Sequence, residues 1–343
     1  MKASITGKGI VSAIGDGKEE LQLPLAKDGW FPAQKPDFAK YFEAKQARRT
    51  SKILKMGMVA AFDALGENQS NLDGIIVGTG LGCIGDSEKF ITSLIHYEES
   101  MLSPTSFIQS THNTIAGSIA LQLKAHQYNF TYSERIFSFE WALLDALMQI
   151  NETTSNSRFL VGAADELTVN TFAIAKALGV YQDNSLQIAD IKTSKDSNVS
   201  AGESACFFTL EQANDKDVSL HFVRMFFQEN IEDVMHKIIT EIESSGVQTV
   251  DCILLGINGH KVYDQVYTKF EEAFPESDVA YFKHLCGESL TASAFAFWLA
   301  TEILETNQLP KIVCIRKNKT LIRSVLIINH LKKDYLSAML LSI

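Results

Sequence analysis

Short apolar runs alternate with stretches of helical periodicity along the whole chain. Residues 51–65 carry apolar positions at a spacing of three and four, which predicts an amphipathic helix, and residues 73–77 form an apolar run typical of a buried strand. Further helices are predicted over 111–124, 140–150, 231–243, 262–273 and 292–305, with Thr111 or Asn113 as the N-cap of the first. Further strands are predicted over 3–11, 159–162, 205–210, 219–229, 252–256, 313–315, 325–329 and 338–341. Because strands and helices alternate in two successive sets, the pattern predicts two α/β lobes of similar build.

The length of the chain agrees with two lobes. It has 343 residues, and a single hydrophobic core rarely grows beyond roughly 250–300 residues. Only 6 prolines are present, and no long linker or low-complexity segment interrupts the pattern. The two lobes should therefore be fused closely rather than tethered.

Composition and charge exclude several classes of function. The 31 basic and 41 acidic residues give a formal net charge of −10, which argues against binding to nucleic acid or to anionic lipid. No stretch approaches 18 uninterrupted apolar residues and the N-terminus lacks a long apolar segment, so we expect a cytoplasmic protein that does not enter the membrane. The five cysteines include no CxxC pair, which predicts neither disulfides nor zinc and fits a reducing compartment.

Phenylalanine dominates the aromatic residues, with 21 copies against 9 tyrosines and 3 tryptophans. A core rich in phenylalanine is the simpler interpretation. The alternative is a pocket or tunnel for a long apolar ligand.

Known catalytic and cofactor motifs are missing. The run GTGLG at 78–82 follows a strand, but it lacks the G-x-G-x-x-G spacing and the later acidic residue of dinucleotide sites, so a tight turn is favoured over a phosphate cradle. The histidines are scattered and form no HExxH pair, and the chain has no GxSxG motif. The sequence therefore predicts no cofactor and no metal ion.

Six segments, taken in order, resemble the β-ketoacyl-acyl-carrier-protein synthases of the thiolase fold. They are ITGKGIVSAIG at 5–15, RRTSK at 48–52, GIIVGTGLG at 74–82, NTIAGSIALQL at 113–123, VGAADE at 161–166 and AGESA at 201–205. The resemblance implies an α/β fold, a duplicated five-layered α-β-α-β-α sandwich with mixed sheets. It also implies an N-terminal lobe over 1–212 and a C-terminal lobe over 213–343.

The catalytic positions of that family are changed in this sequence. Aligned without gaps on the family's strand and nucleophile segment, Ile136 stands where the catalytic cysteine belongs, and an alkyl side chain cannot attack a thioester. The first catalytic histidine is matched by His260, and Lys283 is also retained, but Glu288 occupies the position of the second histidine. The glycine-rich segment near the cysteine is replaced by NHLKKDY at 329–335. The resemblance therefore implies a family member that is not catalytic alone.

Individual residues of this altered site allow more than one interpretation. His260 is either a retained acid–base group or, more simply, a hydrogen-bonded structural histidine. Lys283 and Glu288 are either a buried ion pair or two exposed surface charges. His284 and Cys286 lie on the same segment, and we expect neither to replace the lost catalytic groups.

A family member without its nucleophile resembles the chain-length factors of type II polyketide, aryl-polyene and flexirubin-type systems. The resemblance implies a heterodimer with an active ketosynthase, in which this chain bounds the growing acyl chain and meets acyl carrier protein through the complex. It implies that residues 128–133 lie beside the two-fold mate. Because carrier proteins are usually acidic, direct docking on this chain would need a local basic patch, for which the candidates are Lys45, Arg48, Arg49, Lys52 and Lys55. The residues expected to shape the tunnel and interface are Phe107, Ile108, Thr111, Asn113, Tyr132, Ile136 and Phe137.

Two other functions remain open from the sequence. The first is an active but unusual β-ketoacyl synthase or thiolase-superfamily acyl transferase or decarboxylase that uses His260 and Glu288. The second is a homodimeric protein that binds acyl chains or carrier protein without a ketosynthase partner.

Overall fold

Thirteen strands and eleven α-helices alternate through the described part of the chain. The structure is a computed structural model, and it describes residues 1–100, 102–153, 156–181, 199–214, 216–331 and 334–343. The strands are β1 (Ala3–Ser12), β2 (Trp30–Phe31), β3 (Gly74–Gly78), β4 (Tyr128–Tyr132), β5 (Arg158–Asp165), β6 (Ala201–Gly202), β7 (Ser204–Gln212), β8 (Ser219–Phe227), β9 (Cys252–Leu255), β10 (Asp278–Tyr281), β11 (Cys314–Arg316), β12 (Ser324–His330) and β13 (Tyr335–Ser342).

The helices fill the connections between these strands. They are α1 (Ala44–Ala47), α2 (Lys52–Leu65), α3 (Ile84–His96), α4 (Pro104–Gln109), α5 (Thr114–Leu123), α6 (Ser138–Glu152), α7 (Val169–Ala177), α8 (Ile231–Ser245), α9 (Gln265–Ala273), α10 (Lys283–Cys286) and α11 (Ala292–Thr306). Short 3₁₀ turns occur at Phe38–Lys40 and Arg135–Phe137. Within the described ranges, no helix is both long and apolar enough to cross a membrane.

One mixed sheet repeats the same strand order on its two sides. The order is β11-β10-β9-β12-β13-β8-β1-β7-β5-β3-β4, and β2 pairs separately with β6. The two sides join at β1 and β8 through the pairs Ala3↔Leu220 and Ser4↔Ser219. From the junction outward, the first side has the order β1-β7-β5-β3-β4. The second side has the matching order β8-β13-β12-β9-β10, and β11 is added at its outer edge. The pairing also repeats, since both sides run from antiparallel pairs near the junction to parallel pairs farther out.

Three hydrophobic clusters divide the molecule into five layers. The largest cluster contains the buried faces of α6 and α11 together with inward residues of both sides of the sheet. A second cluster packs α2 and α5 on the outer face of the first side, and a third packs α8 and α9 on the outer face of the second side. The order of layers is therefore α-β-α-β-α, and the fold class predicted from the sequence is confirmed. The predicted lobe boundary, 1–212 and 213–343, falls between β7 and β8 and stays a prediction.

Most predicted elements are present, but two helix starts were wrong. The helix predicted from residue 111 begins at Thr114, and of its two predicted N-caps Asn113 is confirmed and Thr111 is wrong. Asn113 makes no side-chain cap bond, and the Thr111 hydroxyl donates to Asn113 Oδ1 at 2.7 Å. The helix predicted from 262 begins at Gln265, because the Asp264 carboxylate accepts from the backbone N–H groups just before it, including that of Gly259 at 2.8 Å. Both starts are delayed by local side-chain hydrogen bonds that compete with the first helical turn.

Candidate functional site

The position assigned to the nucleophile lies directly before the central helix α6. Ile136 is half-buried in the 3₁₀ turn Arg135–Phe137, and Arg135 holds a left-handed backbone with φ of 53°. The backbone of α6 comes so close to the end of β3 that a Cβ on Gly78 would lie 2.5 Å from the Ser138 carbonyl oxygen. The residue that the alignment assigns to the nucleophile thus lies directly before a helix N-terminus, and its side chain is an alkane.

An aromatic cluster borders this position. The ring of Phe137 lies 5.6 Å from that of Tyr335, which in turn lies 4.8 Å from the ring of Phe227. These side chains come from the start of α6, the start of β13 and the end of β8. The cluster places apolar surface beside Ile136, where a reacting thioester would need polar groups.

The GTGLG run forms a tight turn around a buried carboxylate. Asp165 Oδ1 accepts from the backbone N–H groups of Gly80 and Leu81, both at 3.0 Å, and from the Thr79 hydroxyl at 3.1 Å. On the other side Oδ2 accepts from the Thr291 hydroxyl at 2.9 Å. Burial raises the pKa of Asp165 despite these bonds. The carboxylate uses the N–H groups that a phosphate would need, so the interpretation as a turn is confirmed.

Lys283 and Glu288 form a buried ion pair. Lys283 Nζ lies 2.7 Å from Glu288 Oε2, and each side chain is about 1% exposed. The same ammonium donates to the His330 carbonyl oxygen at 2.8 Å, and Asn258 Nδ2 donates to Glu288 Oε2 at 2.6 Å. Burial raises the pKa of Glu288, and the charge of Lys283 opposes that shift. Of the two interpretations left by the sequence, the buried pair is correct and the surface charges are not.

His260 is tied into its own loop rather than paired with a catalytic partner. Its Nδ1 accepts from the backbone N–H of Tyr263 at 3.3 Å, and its ring stacks on Tyr263 with centroids 3.7 Å apart. Its backbone N–H donates to Asn258 Oδ1 at 3.0 Å. These contacts fit the structural role for His260. Its role in the site stays a prediction.

A second buried carboxylate lies on α6. Glu140 is completely buried, and its Oε1 accepts from the Ser337 hydroxyl on β13 at 2.7 Å. Its Oε2 has no hydrogen-bond partner among the described residues. Burial raises the pKa of Glu140, and the ammonium of Lys283 acts against the shift. The central layer therefore contains two acidic side chains near a single lysine.

The remaining candidates near this site are structural. Cys286 is fully buried, and burial raises the pKa of its thiol well above the usual value, so the thiolate needed for attack is disfavoured. His284 Nε2 lies 2.9 Å from the Ile312 carbonyl oxygen, and burial lowers the pKa of His284 to about 4. In the described ranges, no group of three His, Cys, Asp or Glu side chains is placed to hold a metal ion.

Strand β4 is the outermost strand of the first side, and its outer edge is unpaired within the described residues. The rings of Tyr128 and Phe130 are parallel, with centroids 6.1 Å apart, and Phe130 is 45% exposed. On α6, Trp141 and Met148 are exposed beside this strand, and α6 is linked to it by the Tyr128 hydroxyl, which donates to Asp145 Oδ2 at 2.9 Å. We call Tyr128, Phe130, Trp141 and Met148 the edge patch. An open strand edge with exposed aromatic rings is a surface suited to pairing with another chain.

The residues expected to shape a tunnel divide into two groups. Tyr132, Ile136 and Phe137 lie within six residues of each other between β4 and α6, and all three are half-buried. Phe107 and Ile108 lie on α4 and are 59% and 67% exposed, and Thr111 and Asn113 are exposed in the following turn. The second group faces outward from this chain. It can line a tunnel only when another subunit covers it, so its role stays a prediction.

The predicted basic patch is only partly available to a carrier protein. Lys45, Arg48 and Arg49 are exposed. Lys52 is also exposed, but its Nζ lies 2.5 Å from Oε2 of the buried Glu203 carboxylate, which compensates its charge. A carrier protein would therefore meet fewer cations here than the sequence suggests.

The sequence was compared with family models and with curated proteins. The family model described as "Beta-ketoacyl synthase, N-terminal domain" matches residues 24–206. No curated protein matches the sequence.

Solved structures with similar folds cover almost all of the chain. The ishigamide ketosynthase/chain length factor has a TM-score of 0.80 at 14% identity, covering 99% of this chain and 98% of that chain. A ketosynthase in complex with its chain length factor from Xenorhabdus doucetiae has a TM-score of 0.77 at 15% identity, covering 99% and 98%. A β-ketoacyl synthase from Burkholderia phymatum STM815 has a TM-score of 0.77 at 16% identity, covering 99% of both chains. These likenesses confirm the thiolase-type fold.

Proposed function

This chain belongs to the β-ketoacyl synthase family, and we propose that it is a non-catalytic subunit of the chain-length-factor type. In this proposal it forms a heterodimer with an active ketosynthase and bounds the acyl chain that the partner extends. The proposal rests on the sequence alignment that assigns Ile136 to the family's nucleophile position, and it is supported by the half-buried place of Ile136 in the 3₁₀ turn directly before α6. A subunit that has the family fold but lacks the nucleophile contributes by binding the partner and the acyl chain.

The second catalytic position supports the same conclusion. Glu288 is held in place by Lys283 and Asn258, which both donate to its Oε2. A buried carboxylate would also repel the negative charge that develops when a malonyl group is decarboxylated. This argues against the alternative of an active synthase or decarboxylase that uses His260 and Glu288.

The edge patch offers the surface for the partner. In this arrangement β4 pairs with a strand of the ketosynthase, and the exposed side chains Phe107 and Ile108 are covered at the same time. Carrier protein then docks mainly on the partner, since this subunit has a net charge of −10 and carrier proteins are usually acidic. Similar solved structures include a ketosynthase in complex with its chain length factor, which is consistent with such a pair.

Co-expression with an active ketosynthase encoded near the same gene tests the proposal. We expect the two chains to purify as a heterodimer and Phe130→Lys to abolish association, because it places a charge at the centre of the interface. Leu321→Lys is the matched control, since Leu321 is similarly exposed but lies in the loop between β11 and β12. Condensation of malonyl-carrier protein by this chain alone would refute the proposal. Association with only a second copy of this chain would favour the homodimeric binding protein.

A further inference from the structure

A cavity of about 480 Å³ lies between the N-terminal ends of α8 and α9, on the outer face of the second side of the sheet. It is separate from the ion pair described above, because the end of β12 lies between them. The carbonyl oxygen of His330 accepts from Lys283 on one side of that strand, while the His330 side chain lines the cavity on the other. The cavity is also remote in the sheet order from β4.

The walls of the cavity are mainly apolar. Phe226, Val234, Val266 and Leu336 contribute to the lining and belong to, or pack against, the outer hydrophobic cluster. An engineered apolar cavity of about 150 Å³ is large enough for benzene, and natural ligand pockets span roughly 300–1,000 Å³. The volume therefore suits a compact apolar body larger than one aromatic ring.

One buried polar side chain faces this apolar space. The imidazole of His330 is 3% exposed, and neither ring nitrogen has a hydrogen-bond partner among the residues that the structure describes. The ring is fixed by stacking on Tyr267, with centroids 4.7 Å apart, and Nε2 approaches Asp264 Oδ1 only to 3.5 Å. Burial lowers the pKa of His330, while Asp264 acts against the shift. The lowered pKa favours the neutral ring, which offers one donor and one acceptor. A buried group of this kind is costly unless something bonds to it.

The charges around the cavity do not favour an anion. Lys269 forms an ion pair with Glu232, and Glu229 forms one with Lys237. Asp334 adds a carboxylate to the lining. An anionic ligand would be repelled there and would lose hydration against apolar walls.

We propose that this cavity binds a neutral amphiphilic molecule, with an apolar body of about two fused rings and one hydroxyl group that hydrogen-bonds to His330. The cavity borders the altered site, since its lining includes Tyr263, which stacks on His260, and His330 and Asp334 of the segment that replaces the family's glycine-rich run. Strands β8, β12 and β13 around it are remote in the sheet order from β4 of the edge patch, so the test on the free chain does not depend on the proposed heterodimer.

Titration calorimetry with 2-naphthol, naphthalene and 2-naphthoate tests the proposal on the purified full chain or its complex. We expect saturable binding in the order 2-naphthol, naphthalene, 2-naphthoate. His330→Phe keeps the aromatic stack and removes both nitrogens. It should weaken 2-naphthol roughly tenfold, the size expected for one lost hydrogen bond, and leave naphthalene unchanged.

A second pair of variants separates binding in the cavity from binding elsewhere. Val266→Trp fills the cavity from its wall and should abolish binding of both neutral probes. Val262 also lines the cavity but is 62% exposed, so Val262→Trp should narrow the cavity entrance without disturbing the core. It replaces Val266→Trp in the test if that variant does not fold. Absence of saturable 2-naphthol binding, unchanged 2-naphthol affinity in His330→Phe, or unchanged binding in the folded tryptophan variant would each overturn the proposal.

Discussion

The ammonium of Lys283 lies 2.7 Å from the carboxylate of Glu288, and water is almost wholly excluded from both. Taking two charges out of water is expensive, and their attraction compensates only while both partners are present. The pair joins α10 to the segment that follows it and, through the His330 carbonyl oxygen, to the end of β12. Glu288, which the sequence alignment assigns to the family's second histidine position, is therefore part of a buried ion pair.

Removing the lysine should therefore destabilise the chain strongly. We expect Lys283→Met to lower the free energy of unfolding by about 3–5 kcal/mol, because Glu288 would be left as an uncompensated buried charge. Urea unfolding monitored by circular dichroism measures the change. Lys237→Met breaks the exposed pair with Glu229 and should cost at most about 1 kcal/mol. Equal effects of the two substitutions would contradict the burial of the Lys283–Glu288 pair.

A buried glutamate beside the GTGLG turn makes stability depend on pH. Burial raises the pKa of Glu166 from 4.5 to about 7, and its Oε1 accepts from the Gly85 backbone N–H at 3.0 Å. The folded chain holds this proton more tightly than the unfolded chain, so the contribution of Glu166 to stability is lost as the pH rises from about 4.5 through about 7.

Glu166→Gln removes this titration and keeps an acceptor for Gly85. We expect its free energy of unfolding, relative to the wild type, to rise by about 2–3 kcal/mol between pH 4.5 and pH 8. Urea unfolding across that range gives the difference, with the exposed Glu276→Gln as the matched control. A relative stability that falls with pH would show that the sign is wrong.

The carboxylate of Asp165 holds the turn after β3 and links it to Thr291 in the second side of the molecule. Asp165→Ala removes the acceptor for four donor groups and should destabilise the chain by about 3 kcal/mol or more. Thr291→Val removes one of these bonds and should cost about 1 kcal/mol. Thr306→Val, which loses an exposed bond to the Glu302 carbonyl oxygen, is the control for Thr291→Val. Thermal or urea unfolding of the three variants gives their order, and a mild effect of Asp165→Ala would contradict this role.

Restoring the thiol should not restore activity. Ile136→Cys places a cysteine at the start of α6, where a helix N-terminus favours the thiolate. We expect alkylation of that cysteine by iodoacetamide without decarboxylation of malonyl-carrier protein, since Glu288 remains in the place of the second histidine. Mass spectrometry measures alkylation at residue 136, and a carbon dioxide assay measures decarboxylation. The wild type, which has no thiol at residue 136, is the control for alkylation. Turnover by Ile136→Cys alone would mean that the rest of the site is still competent.

The strands and helices with a clear hydrophobic period were predictable from the sequence. The apolar stripe of 51–65 identified α2, and the apolar run 73–77 identified β3, because both elements have faces that are buried throughout. Helices α3 and α7 were not predicted. In α7, Val169 and Ile174 are exposed, and polar and apolar positions do not separate into two sides. In α3, the apolar residues Ile91 and Ile95 are exposed.

The altered site could be located by sequence, but its buried acids could not. Alignment with the family placed Ile136, Lys283 and Glu288, whereas Asp165 and Glu140 were given no role. Carboxylates are usually exposed, so composition alone predicts surface positions for them. One signal was present for Glu140, which falls three residues before Leu143 in a helix whose other inward positions are apolar apart from Ser138. For Asp165 the signal was its place at the carboxyl end of a buried strand.

His330 was missed because its partners are distant in sequence. Tyr267 and Lys283 approach it only through the pairing of β12 with its neighbours and the packing of α9 on the sheet. A histidine at the end of a predicted strand has no neighbouring sequence feature that indicates burial. For the same reason the sequence did not predict the cavity that His330 lines.

The open edge of β4 has a consequence for how the protein must be made. A strand with free backbone groups and exposed rings will pair with whatever strand it meets, including another copy of itself. Each chain synthesised without a partner thus adds to a pool prone to aggregation. Under the proposed function, balanced synthesis of the two subunits protects the cell, and a shortage of the ketosynthase would first appear as loss of this chain into insoluble material.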